Sequence, residues 1–331
     1  MVQFFIFRFH NGIKSQYKVI IIGAGVSGLA AAKTLVENGI TDILIVESQV
    51  QPGGRICSMK INDDYFELGA QWIHGEKNEI CKISQENNLL TDVVSQEGDG
   101  LYLREDGSVV DKELVRNVDD FVKNTLESCE IYSKSEECAN IPRSIGEVLN
   151  LEFTKYLNSK REDADEVKLI KKELFDWHVR FQKIDNSCND LNELSAKAWG
   201  FYEFCGGKDC INFKNGYSSL INVLIKSLPE NIFLYSTPVR RVEWAQEIHE
   251  RRNGCIDKPD FNCNVEIICD NDMHIKSEYL IVTSSLGFLK ENHEKMFHPP
   301  LPKFLSQVGN FFLANLKNSR IQLIFKIFCR Q

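Results

Sequence analysis

No stretch of this sequence is apolar for long enough to cross a bilayer as a helix, which takes about 20 residues. The apolar opening, Met1-Val2-Gln3-Phe4-Phe5-Ile6-Phe7-Arg8-Phe9-His10, is short and broken by Arg8. It reads as an N-terminal extension over residues 1–16 rather than a span or a secretory leader. The eleven cysteines contain no Cys-x-x-Cys pair, their number is odd, and none stands with histidine at metal-site spacing. A disulfide framework and a structural metal are therefore not expected, and a reducing compartment is: cytoplasmic, with nucleus and peroxisome left open. Positive charge is scarce as well. With 39 Lys and Arg against 47 Asp and Glu, the net charge of −8 argues against a nucleic-acid partner. The same charge suits ordinary solubility or the steering of a cationic substrate. There is no internal repeat and no low-complexity linker.

What is present is a 331-residue chain with 43% apolar content, enough to bury a large core and to suggest about two domains. Its strongest local signal is an apolar strand, Tyr17 to Ile22, running into Gly23-Ala24-Gly25-Val26-Ser27-Gly28. An alanine-rich helix to Asn38 and a second strand, Asp42 to Glu47, follow. Strand, Gly-x-Gly-x-x-Gly, helix and terminal acid in that order read as a dinucleotide-binding βαβ unit. Gly23 takes the turn leaving the strand, Gly25 keeps side-chain atoms away from a pyrophosphate, and Gly28 allows close helix packing. The helix N-terminus would direct unpaired N–H groups at the phosphates. Glu47 would accept from ribose hydroxyls and repel a 2′-phosphate.

Pro52-Gly53-Gly54-Arg55 follows the second strand, where Gly54 and Arg55 would complete a diphosphate cradle, and Gly69-Ala70-Gln71-Trp72-Ile73-His74-Gly75 follows in turn. Gly-Gly-Arg after the acid, then Gly-Ala-x-Trp-Ile-His-Gly, resembles the FAD-dependent amine oxidases, most closely the polyamine and spermine oxidases. Phe213 to Tyr217, Thr237 to Val242 and Tyr279 to Lys290 resemble that family's later motifs in the same order. The resemblance implies an α/β fold, with a Rossmann-like FAD-binding domain and a discontinuous α+β substrate domain. The boundaries expected are 17–77 for the first FAD-binding part, 78–205 for a mainly helical substrate part, 206–290 for the second FAD-binding part, and 291–331 for a divergent tail. Helices are expected over Glu79–Leu89, Val115–Cys129, Ile145–Tyr156 and Asp163–Lys183. In the last of these Val167, Ile170, Leu174, Trp177 and Phe181 recur at helical spacing as a core face. Strands are expected over Ile232–Tyr235, Val239–Trp244, Val265–Cys269 and Tyr279–Thr283, with Gln246–Asn262 as a hairpin insertion.

The family's chemistry is oxidation at the carbon beside an amine, with O2 reoxidising the flavin and H2O2 leaving. As cofactor-binding residues the resemblance implies Gly23, Ala24, Gly25, Ser27, Gly28, Glu47, Gly54, Arg55, Gly69, Ala70, Gln71, Trp72, Val239 through its backbone, and Thr283. It gives His74 a catalytic and substrate-facing role, Glu203 a place facing a cationic polyamine, and Lys326 the place of a flavin-side lysine. Thr283 is read equally as a strand end, and Trp72 as packing. The family's terminal flavin motif is not found after Pro302. The expectation is accordingly an incomplete chain that binds FAD weakly or not at all. Another flavin amine oxidase, of L-amino-acid or histone-lysine type, and a catalytically inactive truncated product are the alternatives. Nothing in the sequence sets the oligomeric state.

Overall fold

The computed structural model describes residues 13–95, 100–135, 142–201, 205–244, 265–302 and 321–323. In chain order the strands are β1 (Gln16–Ile22), β2 (Ile43–Val46), β3 (Ser58–Ile61), β4 (Asp64–Glu67), β5 (Leu90–Val94), β6 (Ile211–Phe213), β7 (Phe233–Leu234), β8 (Val239–Trp244), β9 (Val265–Cys269), β10 (His274–Val282), β11 (Phe297–His298) and β12 (Ile321–Leu323). The helices are α1 (Val26–Glu37), α2 (Glu79–Glu86), α3 (Lys112–Ser133), α4 (Ile145–Ser159), α5 (Asp165–Asp185), α6 (Ser218–Lys226) and α7 (Leu286–Met296). The chain divides into two compact units. The first takes in the described residues up to Ile73, then Asn78–Val93 and those from Ile211 onward; the second takes in His74–Lys77 and Val94–Cys210.

The first unit is a mixed α/β layer structure around a sheet of order β11-β8-β9-β10-β1-β2-β7, with β12 also beside β10. The centre is parallel: β1 pairs with β2 (Ile20 opposite Leu44) and with β10 (Ile20 opposite Leu280). Alternate residues of these strands enter opposite cores, as pleating requires. Ile20, Ile22, Leu44, Val46, Leu280 and Val282 share one apolar cluster. Val19, Ile21, Ile43 and Ile45 share the other, with Leu29 and Ala32 of α1 and Leu220, Ile221 and Leu224 of α6. Burial on both faces explains why β1 and β2 are near-continuous apolar runs. β10 is longer than the strand expected from Tyr279. Its first half alternates exposed and buried residues while pairing antiparallel with β9, so its apolar signal starts late. The expected strand over Ile232–Tyr235 is instead a 3-10 turn followed by the two-residue β7. Residues 291–302 finish α7 and supply β11, whose Phe297 is fully buried against β8. The expected Gln246–Asn262 hairpin lies outside the described residues.

The second unit is built on α3, α4 and α5. Asp111 caps α3 by accepting from Glu113 and Leu114 N–H, and Ser144 caps α4 by accepting from Glu147 N–H. Phe153 and Phe175 stack at 3.9 Å between centroids at the core, with Phe121 and Tyr156 alongside. Most of the expected stripe on α5 faces inward: Leu174 is buried, Ile170 packs on the same core, and Val167 and Phe181 are half-buried, while Trp177 is 41% exposed. Lys171, Phe175 and Gln182 are buried as well. Lys171 is accommodated there because its ammonium pairs with Asp163 at 2.7 Å and lies over the Tyr156 ring.

Candidate functional site

The glycine motif joins β1 to α1. Gly23 has φ +103°, and Gly28 is held so close to it that a Cβ on Gly28 would lie 1.9 Å from the Gly23 carbonyl oxygen. Both glycines are thus demanded by the fold itself. Gly25 is different. It is the N-cap of α1 with φ −75° and ψ 177°, a conformation any residue adopts, and a Cβ there would meet nothing nearer than the Gly53 carbonyl oxygen at 3.9 Å. Neither backbone nor packing requires glycine at 25, so the bare backbone faces space for a group outside the chain. Gly53 (φ +123°) and Gly54 (φ +59°) close the other side: Gly53 N–H donates to the Ala24 carbonyl at 3.0 Å, and a Cβ on Gly54 would lie 3.6 Å from Gly25 Cα. The α1 N-terminus receives no side-chain cap and has no acid in its first turn, which includes Ser27. Two glycine turns against an uncapped helix N-terminus fit a diphosphate.

Glu47 directly follows β2 and is 6% exposed. Its Oε2 accepts from Ala24 N–H at 2.6 Å; its Oε1 accepts from Gln49 N–H at 2.8 Å and the Ser48 hydroxyl at 3.2 Å. The carboxylate is thereby fixed beside the glycine turn. Thr237 N–H donates to the Glu47 carbonyl, bringing the Thr237-Pro238-Val239 segment alongside. Tyr235 precedes it, its phenol pushed up to about 12 by burial and then by the Glu47 charge. Val239 opens β8 beside a bulge. The Thr283 hydroxyl donates to the Ile22 carbonyl at 2.8 Å, tying the end of β10 to the end of β1 under the glycine turn. Ala70 N–H donates to the Arg55 carbonyl, and a Cβ on Gly69 would lie 2.1 Å from that oxygen. Gly69 is therefore required by close packing, while the Arg55 and Gln71 side chains are exposed and Trp72 is half-buried.

His74 lies in the second unit. Its Nδ1 is 2.7 Å from Asp209 Oδ1, which also accepts from Cys210 N–H at 2.9 Å. Donor atoms of His74, Asp209 and Cys210 all fall within 4.8 Å of one another. Asp209 was not visible in the sequence, because 135 residues separate it from His74 and no motif marks it. Gly53 was also passed over, although its Pro-Gly-Gly-Arg context carries the signal. Glu203 and Lys326 lie outside the described residues, as does any geometry for them.

Residues 26–318 match the family described as flavin containing amine oxidoreductase. The chain belongs to that family. Its members are FAD-dependent oxidoreductases, and FAD is their cofactor. Among curated relatives, the peroxisomal N(1)-acetyl-spermine/spermidine oxidase of Homo sapiens is 25% identical over 86% of this chain and 57% of that protein. Probable polyamine oxidase 5 of Arabidopsis thaliana is 24% identical over 87% of this chain and 58% of that protein. A lysine-specific histone demethylase 1 homolog 2, also of Arabidopsis thaliana, is 30% identical over 87% of this chain but 35% of its own length. The chain thus spans little more than half of the polyamine-oxidase relatives. A solved structure of wild-type putrescine oxidase bound to putrescine is similar with a TM-score of 0.55, at 18% identity, over 87% of this chain and 62% of that one. At that identity the likeness establishes the fold. Among the described residues, no helix is long and apolar enough to cross a membrane.

Proposed function

We propose that this protein oxidises polyamines, of the spermine or N-acetylated polyamine type, with O2, giving H2O2 and an imine that water hydrolyses to an aldehyde and an amine. FAD, when bound, supplies the hydride-accepting chemistry. The chain's own part is to hold and orient. The Gly23 to Gly28 turn and the first N–H groups of α1 take the diphosphate, with Gly54 and Arg55 opposite. Glu47 takes the ribose hydroxyls and Val239 the adenine, through its backbone. Gly69 to Trp72 and Thr283 shape the turn that supports them. His74 faces the substrate. The single observation behind the cofactor assignment is Gly25, a glycine that neither its backbone angles nor its neighbours demand.

The polyamine assignment is supported by the oxidase activities named for two of the relatives and agrees with a net charge of −8, which would raise the local concentration of a polycation. The histone-demethylase relatives support a second reading, a methylated lysine side chain as the amine. The location we propose is cytoplasmic, with nucleus and peroxisome as the alternatives, to be checked by cell fractionation.

One experiment addresses both readings. The full chain is titrated with FAD and then assayed for peroxide with spermine, N1-acetylspermine, putrescine and a dimethyl-lysine peptide. Peroxide from the polyamines supports the proposal. Turnover of the peptide alone replaces it with the second reading. A chain saturated with FAD that yields peroxide from none of them refutes both.

A further inference from the structure

No residue of β3 or β4 is buried, so apolar packing does little to hold this two-stranded hairpin, and an isolated hairpin is marginal in water. Polar groups fasten its base instead. β3 and β4 pair antiparallel with Ser58 opposite Glu67, and these two residues meet the start of α6. Ser58 N–H donates to Ser218 Oγ at 2.9 Å, Ser218 N–H donates back to Ser58 Oγ at 2.9 Å, and the Ser58 hydroxyl donates to Glu67 Oε2 at 2.7 Å. The other carboxylate oxygen, Oε1, accepts from Tyr217 N–H at 2.8 Å. The N-cap of α6, Tyr217, makes no side-chain cap, so a carboxylate 150 residues away takes that place at the positive end of the helix. Gly216 makes the approach feasible: its φ is +74°, and a Cβ there would lie 2.7 Å from Ser58 Cβ.

α6 is a firm anchor, since Leu220, Ile221 and Leu224 are buried in the core shared with Leu29 and Ala32 of α1. From the clamp the two strands run on to the second glycine turn. Leu68 N–H donates to the Cys57 carbonyl at 2.8 Å, Ala70 N–H donates to the Arg55 carbonyl at 3.0 Å, and a Cβ on Gly69 would lie 2.1 Å from that same oxygen. Gly53 rests on the same helix, where a Cβ would lie 3.8 Å from Ile221 Cγ1.

We infer that Glu67 is a positioning residue for the cofactor cradle: by clamping the β3–β4 hairpin to α6, it sets where Gly54 and Arg55 stand opposite the α1 N-terminus. This deepens the assignment of Gly54 and Arg55 to the diphosphate and rests on it. A carboxylate suits the task because its two oxygens accept from two elements at once, a backbone N–H of the helix and a hydroxyl of the hairpin. Each half of the cradle then has its own support. The Gly23 to Gly28 turn is tied down by the Thr283 hydroxyl on the Ile22 carbonyl, and the Gly53 to Arg55 turn is tied to α6 through Glu67. The competing reading is a helix cap with no further consequence.

The test combines amide hydrogen exchange of the full chain with FAD titration followed by flavin fluorescence. Glu67→Ala should speed exchange about tenfold or more at Leu68 and Ala70, leave the β1 and β2 amides slow, and weaken FAD binding about tenfold. Ser58→Ala cuts the link from the hairpin side and should give the same pattern, so the outcome does not hang on one variant folding. Glu67→Gln is the conservative rescue. Its amide oxygen can keep the Tyr217 N–H while its NH2 donates to a lone pair of Ser58 Oγ, so exchange and affinity should return most of the way to wild type. The phosphorus NMR signals of bound FAD should move in Glu67→Ala and stay in place in Glu67→Gln, a signature that a loss of stability alone does not give. Faster exchange confined to α6, with Leu68, Ala70 and FAD affinity as in the wild type, reduces Glu67 to a cap and overturns the inference. So does FAD affinity indifferent to Glu67→Ala in a chain where Gly25→Ala weakens it. Affinity indifferent to both substitutions, or no FAD uptake by the wild type, refutes the cradle reading itself, and the inference falls with it.

Discussion

Gly25 and Gly28 belong to one motif, and their surroundings predict opposite outcomes for the same substitution. In Gly28→Ala the new methyl would lie 1.9 Å from the Gly23 carbonyl oxygen, 3.0 Å from its carbon and 3.1 Å from Thr283 Oγ1. Two of these atoms are backbone, so relief requires α1 to move by about 1 Å off the sheet, in an interior packed to crystal density. Overpacking of this kind costs about 1 to 3 kcal/mol, offset by about 0.5 to 1 kcal/mol of better helix propensity. The net loss is about 1 to 2 kcal/mol, or a melting point lower by about 3 to 8 °C for a unit of this size. In Gly25→Ala the methyl meets nothing within 3.9 Å and the backbone angles suit alanine. Stability changes by less than about 1 kcal/mol, because the less flexible unfolded chain offsets the poorer standing of alanine as an N-cap. FAD affinity falls much further, because the methyl stands where the diphosphate would approach: roughly 10- to 100-fold weaker binding is expected, the equivalent of about 1.4 to 2.8 kcal/mol. Urea unfolding followed by far-UV circular dichroism, with hydrogen exchange at the α1 amides to localise the effect, gives the first quantity. Flavin fluorescence titration gives the second. If Gly25→Ala destabilises as much as Gly28→Ala, or leaves FAD binding intact, glycine at 25 serves the fold and the cradle argument is wrong.

Glu47→Gln turns an acceptor into a group that must point N–H donors at the Ala24 or Gln49 N–H. In a site 6% exposed, a stability loss of about 1 to 3 kcal/mol is expected by urea titration, together with weaker FAD binding. Thr283→Val removes the hydroxyl bonded to the Ile22 carbonyl and should cost about 1 kcal/mol, while Thr283→Ser costs less; thermal melts of the pair check this. Phe153→Ala empties one half of the stacked pair at the core of the helical unit, for about 3 to 5 kcal/mol. Hydrogen exchange should then accelerate in α3, α4 and α5 and remain slow in β1, β2 and β10. Tyr235 ionises near 12 in the folded protein against about 10 unfolded, so its contribution to stability is complete below pH 10 and is lost between 10 and 12. The 295 nm difference titration between wild type and Tyr235→Phe should show a midpoint near 12, and one near 10 contradicts the burial argument.

The parts of the fold legible in the sequence are those where one physical demand dominates. β1 and β2 are buried on both faces, so period and composition agree, and their ends were readable to within a residue. Helix existence was equally plain for α3, α4 and α5, although α3 starts at Lys112, after the Asp111 cap and three residues before the expected Val115. Where two demands compete, the pattern misleads. β10 serves an antiparallel neighbour with its first half and parallel ones with its second, so half of it reads as polar. On α5 the spacing placed Trp177 inside, where the structure exposes it and buries Lys171 with Asp163 and Tyr156 as partners. No local statistic contains that partnership.

The candidate site divides along the same line. Gly23 answers to a positive φ, Gly28 to a carbonyl 1.9 Å from its missing Cβ, and Gly25 to neither; all three are written with the same letter. A motif therefore overstates how much of itself concerns a ligand, and only subtraction of what the fold demands isolates the residue that does. The converse holds for Asp209. It belongs to no motif and its partner is 135 residues away, yet it takes the Nδ1 of the one histidine the sequence singled out. Short-range signals locate where a ligand's phosphates can lie, since a turn and a helix start are local objects. The contact between His74 and Asp209 is a long-range one, so it is legible only in the fold.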